Sequence, residues 1–93
     1  MQFITVVRRM TESFPKESFD ALLDAEADGV RRLYSEGIIR MAWSREDVLG
    51  ACLLLEADSR EHALTSLMTL PLFHHKMVEY QIVPLRGYRG FCP

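Results

Sequence analysis

What a chain of this kind can fold into is constrained most by the order in which its apolar residues change period. Gln2 to Arg9 is β-branched and apolar, as a strand requires. From about Lys16 to Glu36 the apolar positions Phe19, Leu22, Leu23, Ala27, Val30, Leu33 and Tyr34 recur every three or four residues, one stripe of a helix. Ile38 to Ser44 returns to period two, with Ile39, Met41 and Trp43 on one face and Arg40, Ala42 and Ser44 on the other. A charged turn, Arg45 to Asp47, leads to a third strand, Val48 to Ala57, hairpin-paired with the second. A second helix runs from Arg60 to about Thr69 on Ala63, Leu64, Leu67 and Met68. Met77 to Leu85 is the last strand, where Pro84 suits an edge. The order βαββαβ predicts a ferredoxin-like α+β fold, a four-stranded antiparallel sheet with two helices on one face.

The punctuation agrees with these spans. Ser13 is a candidate N-cap with Pro15 in the first turn, Gly37 suits the residue after a helix end, and Asp58 or Ser59 caps the second helix, which Pro71 ends. Residues 1–93 form one domain, with an irregular tail from Arg86 to Pro93. Helices on one face leave the other bare, and Phe3, Val7, Met41, Trp43, Leu53 and Leu55 are too apolar to leave wet. A second copy packed sheet to sheet would cover them, so a homodimeric α+β barrel is expected.

A net charge of −2 supplies no basic field for nucleic acid and no polybasic patch for a membrane surface. MQFITVVRR has the pattern of a strand and not of a signal peptide, and no stretch approaches the roughly eighteen apolar residues of a span. A cytoplasmic location is therefore expected. Cys52, in an apolar run, reads as a buried free thiol, and Cys92 receives no role.

Glu26 breaks the helical stripe, because steps of three and four from Leu22 and Leu23 land on it. A carboxylate there is desolvated, paired, or facing a cavity. Desolvation raises a carboxyl pKa toward the range useful for proton transfer.

The segments LLDAEADGVRRLYSEG (Leu22–Gly37) and LPLFHHKMVEYQIVPL (Leu70–Leu85) resemble the muconolactone delta-isomerase family. Arg32, Leu33, Glu36 and Gly37 match its helix ending, Leu70 to Phe73 its LPLF turn, and Trp43 falls on a family tryptophan. The resemblance implies a cofactor-free isomerase of aromatic-acid catabolism on the β-ketoadipate route, moving a lactone double bond. It also implies homodimers assembled further, often as a decamer, and it maps the family's helical glutamate onto Glu26. Three departures fall near the expected pocket walls: His74, His75 and Lys76 after Phe73, the pair Arg8 and Arg9, and the tail RGYRGFCP.

Moving the double bond means taking a proton next to a carbonyl and returning one at the far end of the allylic system, which one carboxylate over the ring can do. The developing enolate needs a donor or a cation. Glu26 and His75 are the expected catalytic pair, and Arg40, Trp43, His74 and Tyr80 the expected contacts to a small lactone or carbonyl acid. The two histidines have no partners at metal-ligand spacing, so no metal site is expected. Two other outcomes suit the scaffold: a tailoring isomerase, cyclase or cofactor-free monooxygenase of secondary metabolism, or a non-enzymatic binding or assembly subunit.

Overall fold

Residues 1–91 are described by the computed structural model; Cys92, like Pro93, lies outside the described residues. The strands are β1 (Gln2–Arg9), β2 (Ile39–Ser44), β3 (Gly50–Glu56) and β4 (Val78–Leu85). The helices are α1 (Lys16–Asp20), α2 (Leu23–Ser35), α3 (Arg60–Leu67) and α4 (Pro71–His74). The sheet order is β2-β3-β1-β4 with every pairing antiparallel, the ferredoxin-like arrangement. Pro84 lies on edge strand β4, where its missing N–H breaks no ladder.

The expected first helix, Lys16 to Glu36, is broken at Ala21 and Leu22. Leu22 has φ −110°, and its amide bonds the carbonyl of Phe19, three residues back, at 2.9 Å. The apolar spacing continues across this tight turn, so the pattern conceals it. The break lets α1 tuck buried Phe19 edge-on against Phe14, with ring centroids 6.1 Å apart. Ser13 is not the cap: the N-cap position of α1 is Pro15, without a side-chain bond.

Other ends follow their sequence signals. Gly37 adopts φ +81° after α2, where the amide of Ile38 reaches the carbonyl of Leu33 and that of Gly37 the carbonyl of Tyr34. This pair is a Schellman motif. Ser59 Oγ accepts from the amide of His62 at 3.0 Å and caps α3. Pro71 opens α4 as well as ending the run before it: Leu70 is extended, as a residue before proline prefers, and Pro71 takes the first helical position.

The core lies between the sheet and the helices, with Phe3, Val7, Leu53 and Leu55 meeting Leu33, Leu67, Leu70 and Phe73. Burying each such side chain contributes about 1.5–3 kcal/mol. The expected bare face is therefore corrected, because those four strand residues point to the helices. A bulge between Ile39 and Met41 shifts the register, so Ile39 is buried while Met41 and Trp43 turn to the open face. There they join Ile4, Val6, Cys52, Leu54, Val83 and Leu85, all on the same parity of the ladders. Cys52 is thus a half-buried thiol on the open face, not a core residue. Among the described residues no helix is long and apolar enough to cross a membrane.

Thr5 is fully buried on the helix-facing side, and its hydroxyl has no hydrogen-bond partner among the described residues. An unsatisfied buried hydroxyl costs about 1–3 kcal/mol, and valine has the same shape without it. Thr5→Val is expected to raise stability by about 1 kcal/mol, several degrees in a thermal melt for a domain of this size. A lower melting temperature would show that the hydroxyl has a partner.

Candidate active site

Glu26 lies on the face of α2 that turns toward the sheet, one turn before Val30. The apolar residues of that face carry it inward, and the space above β1 and β3 receives it. The cavity there holds about 150 Å³ and opens to solvent. Val7 and Arg9 of β1, Ser44 of β2, and Gly50, Ala51 and Leu53 of β3 form its floor. Leu70, Leu72 and Phe73 close it from the side of α4. Gly29 permits this closure, since a Cβ there would stand 2.7 Å from Leu70 Cδ2.

Glu26 is half-buried and fixed at one oxygen: Oε1 accepts the Leu72 amide at 2.9 Å. That amide stands at the start of α4, where no helical carbonyl is available to it. Burial pushes the Glu26 carboxyl above its ordinary value, while the Leu72 amide and the positive charge of Arg9 oppose the rise. Desolvation outweighs them. Oε2 has no hydrogen bond among the described residues and is the oxygen left for a bound molecule.

The other expected site residues lie elsewhere. His74 and His75 are exposed, stacked edge to face with centroids 5.1 Å apart at the end of α4. There Lys76 takes φ +58° and the chain reverses into β4, so neither imidazole lines the cavity. Arg40 is exposed in the β2 bulge, and Trp43, 48% exposed, stands on the opposite sheet face. Tyr80 does face the helices, but it packs against Phe73, 5.2 Å between ring centroids, and does not line the cavity. Of the six, only Glu26 belongs to the cavity wall. Among the described residues no three His, Cys, Asp or Glu side chains form a metal-holding group.

Three contributors had no assigned role in the sequence, although Arg9 stood with Arg8 among the departures near the expected pocket walls. Arg9 continues the inward parity of Phe3, Thr5 and Val7, and that alternation was the signal for it. Ser44 reaches the cavity only through the bulge, which strict alternation conceals. The Leu72 amide is a backbone group and has no letter in the sequence.

Residues 1–89 match the muconolactone delta-isomerase family. A crystal structure of muconolactone isomerase is similar with TM-score 0.79 and 21% identity, over 95% of this chain and 91% of that one. The 5-chloro-2-hydroxyhydroquinone dehydrochlorinase TftG from Burkholderia phenoliruptrix AC1100, solved with 2,5-dihydroxybenzoquinone, is similar with TM-score 0.69 and 15% identity. That likeness covers 97% of this chain and 98% of the other. At these identities the two structures attest the fold. Among curated proteins none matches the sequence. The family match spans the fold from β1 to the tail and includes α2 with its inward glutamate, and by it the chain belongs to the muconolactone delta-isomerase family.

Proposed function

We propose that the protein is a cofactor-independent isomerase that shifts a ring double bond in a small, muconolactone-like lactone, with Glu26 as the proton shuttle. One observation carries this: a half-buried carboxylate of raised pKa, held at one oxygen and open at the other, lines an apolar cavity. Muconolactone has its double bond conjugated with the carbonyl, so the proton moves in the opposite sense to that expected: Oε2 takes it from the ring carbon that bears the side arm, at the far end of the allylic system. The electron pair moves into a dienolate, and the protonated carboxyl returns a proton at the carbon next to the lactone carbonyl, so atoms and charge balance. Burial serves both halves, since a carboxyl of raised pKa is a stronger base, and its protonated form is still an acid that can return the proton.

The size of the cavity supports a single ring. About 150 Å³ is the volume that admits one benzene-sized molecule in an engineered protein cavity. The monocyclic quinone bound to the dehydrochlorinase is of the same class, whereas polycyclic tailoring substrates are larger. The proposal also places a second copy on the open sheet face, which light scattering would read as at least a doubled mass.

Proton NMR of muconolactone in D₂O with the protein is the test. Conversion to the enol-lactone is expected, with deuterium at the reprotonated carbon where the shuttle exchanges with water and without it where transfer is internal. A folded protein that leaves muconolactone unchanged would overturn the substrate, and failure to convert any monocyclic lactone would favour the binding subunit.

A further inference from the structure

We propose that Arg9 selects the charge of the substrate: its guanidinium receives a free carboxylate on the arm of a lactone whose ring occupies the Glu26 cavity. This rests on the use of that cavity proposed above. Arg9 lies at the end of β1, half-buried, where it borders both the cavity and a groove of about 370 Å³ walled by Phe14, Phe19 and Leu49. Its guanidinium carbon stands 5.8 Å from the centroid of Phe19, within cation–π range, so the aromatic ring steadies the cation from one side.

Arg9 forms no ion pair among the described residues, whereas its neighbours are engaged. Arg8 is 3.0 Å from Glu12 and 3.2 Å from Glu79, and Arg45 is 2.6 Å from Asp47. The one carboxylate lining the groove, Asp20, is held by Lys16 at 2.6 Å. Glu26 and Arg9 face the same cavity without pairing, which leaves a ring the space between a base and a cation. A half-buried guanidinium has lost part of its hydration, and a carboxylate meeting its planar fork with two hydrogen bonds restores it. Arg40, one of the expected substrate contacts, is exposed, so it remains hydrated and gains nothing comparable. A carboxylate on Arg9 would also cancel the positive field that opposes the rise of the Glu26 pKa, so the substrate would strengthen its own base.

The test is equilibrium binding, by calorimetry, of ring-saturated carboxymethyl-butyrolactone, which cannot isomerise, and of its methyl ester. Wild type should bind the acid about tenfold or more tightly than the ester, as a hydrogen-bonded charge pair warrants. Raising the salt should weaken the acid only. In Arg9→Gln the acid and the ester should become equal, and Arg9→Lys should keep part of the preference. An acid preference surviving in folded Arg9→Gln, or a wild type without that preference or without binding, would overturn the proposal. Turnover does not enter these readouts. Loss of the preference in Arg9→Gln beside an inert Glu26 would sustain Arg9 and refute the shuttle.

Discussion

Glu26→Gln should lower turnover roughly a thousandfold, within the 10²- to 10⁴-fold range of a positioned acid–base group, and leave the fold intact. Glutamine keeps the shape and the Oε1 acceptor for the Leu72 amide, so KM should change little. Stability should move the opposite way to activity. Because burial raises the carboxyl pKa in the folded state, the folded protein holds the Glu26 proton more tightly than the unfolded chain does. Below the ordinary glutamate value both states are protonated and there is no penalty. Between that value and the raised one stability falls as pH increases, and above the raised value the loss is complete and constant. Glutamine carries no such loss. The melting temperature of Glu26→Gln relative to wild type should therefore be near parity below the ordinary glutamate value and climb to a plateau above the raised one. The wild-type rate should rise with pH across the same window, because the base must be ionised to act. A variant that retains turnover would remove Glu26 from the mechanism, and one that melts lower at every pH would show that the carboxylate is structural.

The second large effect belongs to the sheet. Gly50→Ala should cost about 3 kcal/mol, the upper end for an overpacked position, and roughly 15 °C in melting temperature. A Cβ on Gly50 would lie 2.0 Å from the Val7 carbonyl oxygen and 3.1 Å from Arg8 Cα. These are backbone atoms of β1, which pairs along its length with both β3 and β4, so no side-chain rotation relieves the clash. The strands must separate, and the bond from the Arg9 amide to the Leu49 carbonyl at 2.9 Å lies beside the separation. Gly37→Ala is the comparison. It also sits where L side chains are strained, at φ +81°, but nothing stands within 4 Å of its Cβ, and a loss of about 1 kcal/mol is expected. Comparable melting temperatures for the two variants would refute the close approach of β3 to β1.

The element order was legible because each segment keeps one period long enough to be distinctive, and the ends at Gly37 and Ser59 fell where their chemistry places them, whereas the cap expected at Ser13 did not. Positions whose cause is not local were not legible. Nothing between Phe19 and Leu23 signals the turn that divides the first helix, since the apolar spacing runs through it. Glu26 was legible as a carboxylate on an apolar stripe. Its partner was not, because the Leu72 amide comes from 46 residues away. The histidines were attractive as loop residues beside a rigid element, yet the left-handed turn at Lys76 leaves them in solvent. Arg9 was within reach of the alternation that identified β1, but with Arg8 it was noted only as a departure near the pocket walls and given no role.

The single extra residue in β2 bears on how this fold can change by insertion and deletion. Ile39 pairs with Leu55 and Met41 with Leu54, so two reading frames meet at Arg40. Removing that residue would make the pairing one to one and leave Trp43 opposite Cys52 on the open face and Ser44 opposite Ala51 beside the cavity. A ladder that instead kept Arg40 in strict alternation after Ile39 would swing the Trp43 indole under the helices, and the largest side chain in the chain would stand where a small hydroxyl now does. By setting one residue outside the ladder, β2 keeps a pocket with room for a ring, and it can lose that codon without filling the pocket with the protein itself.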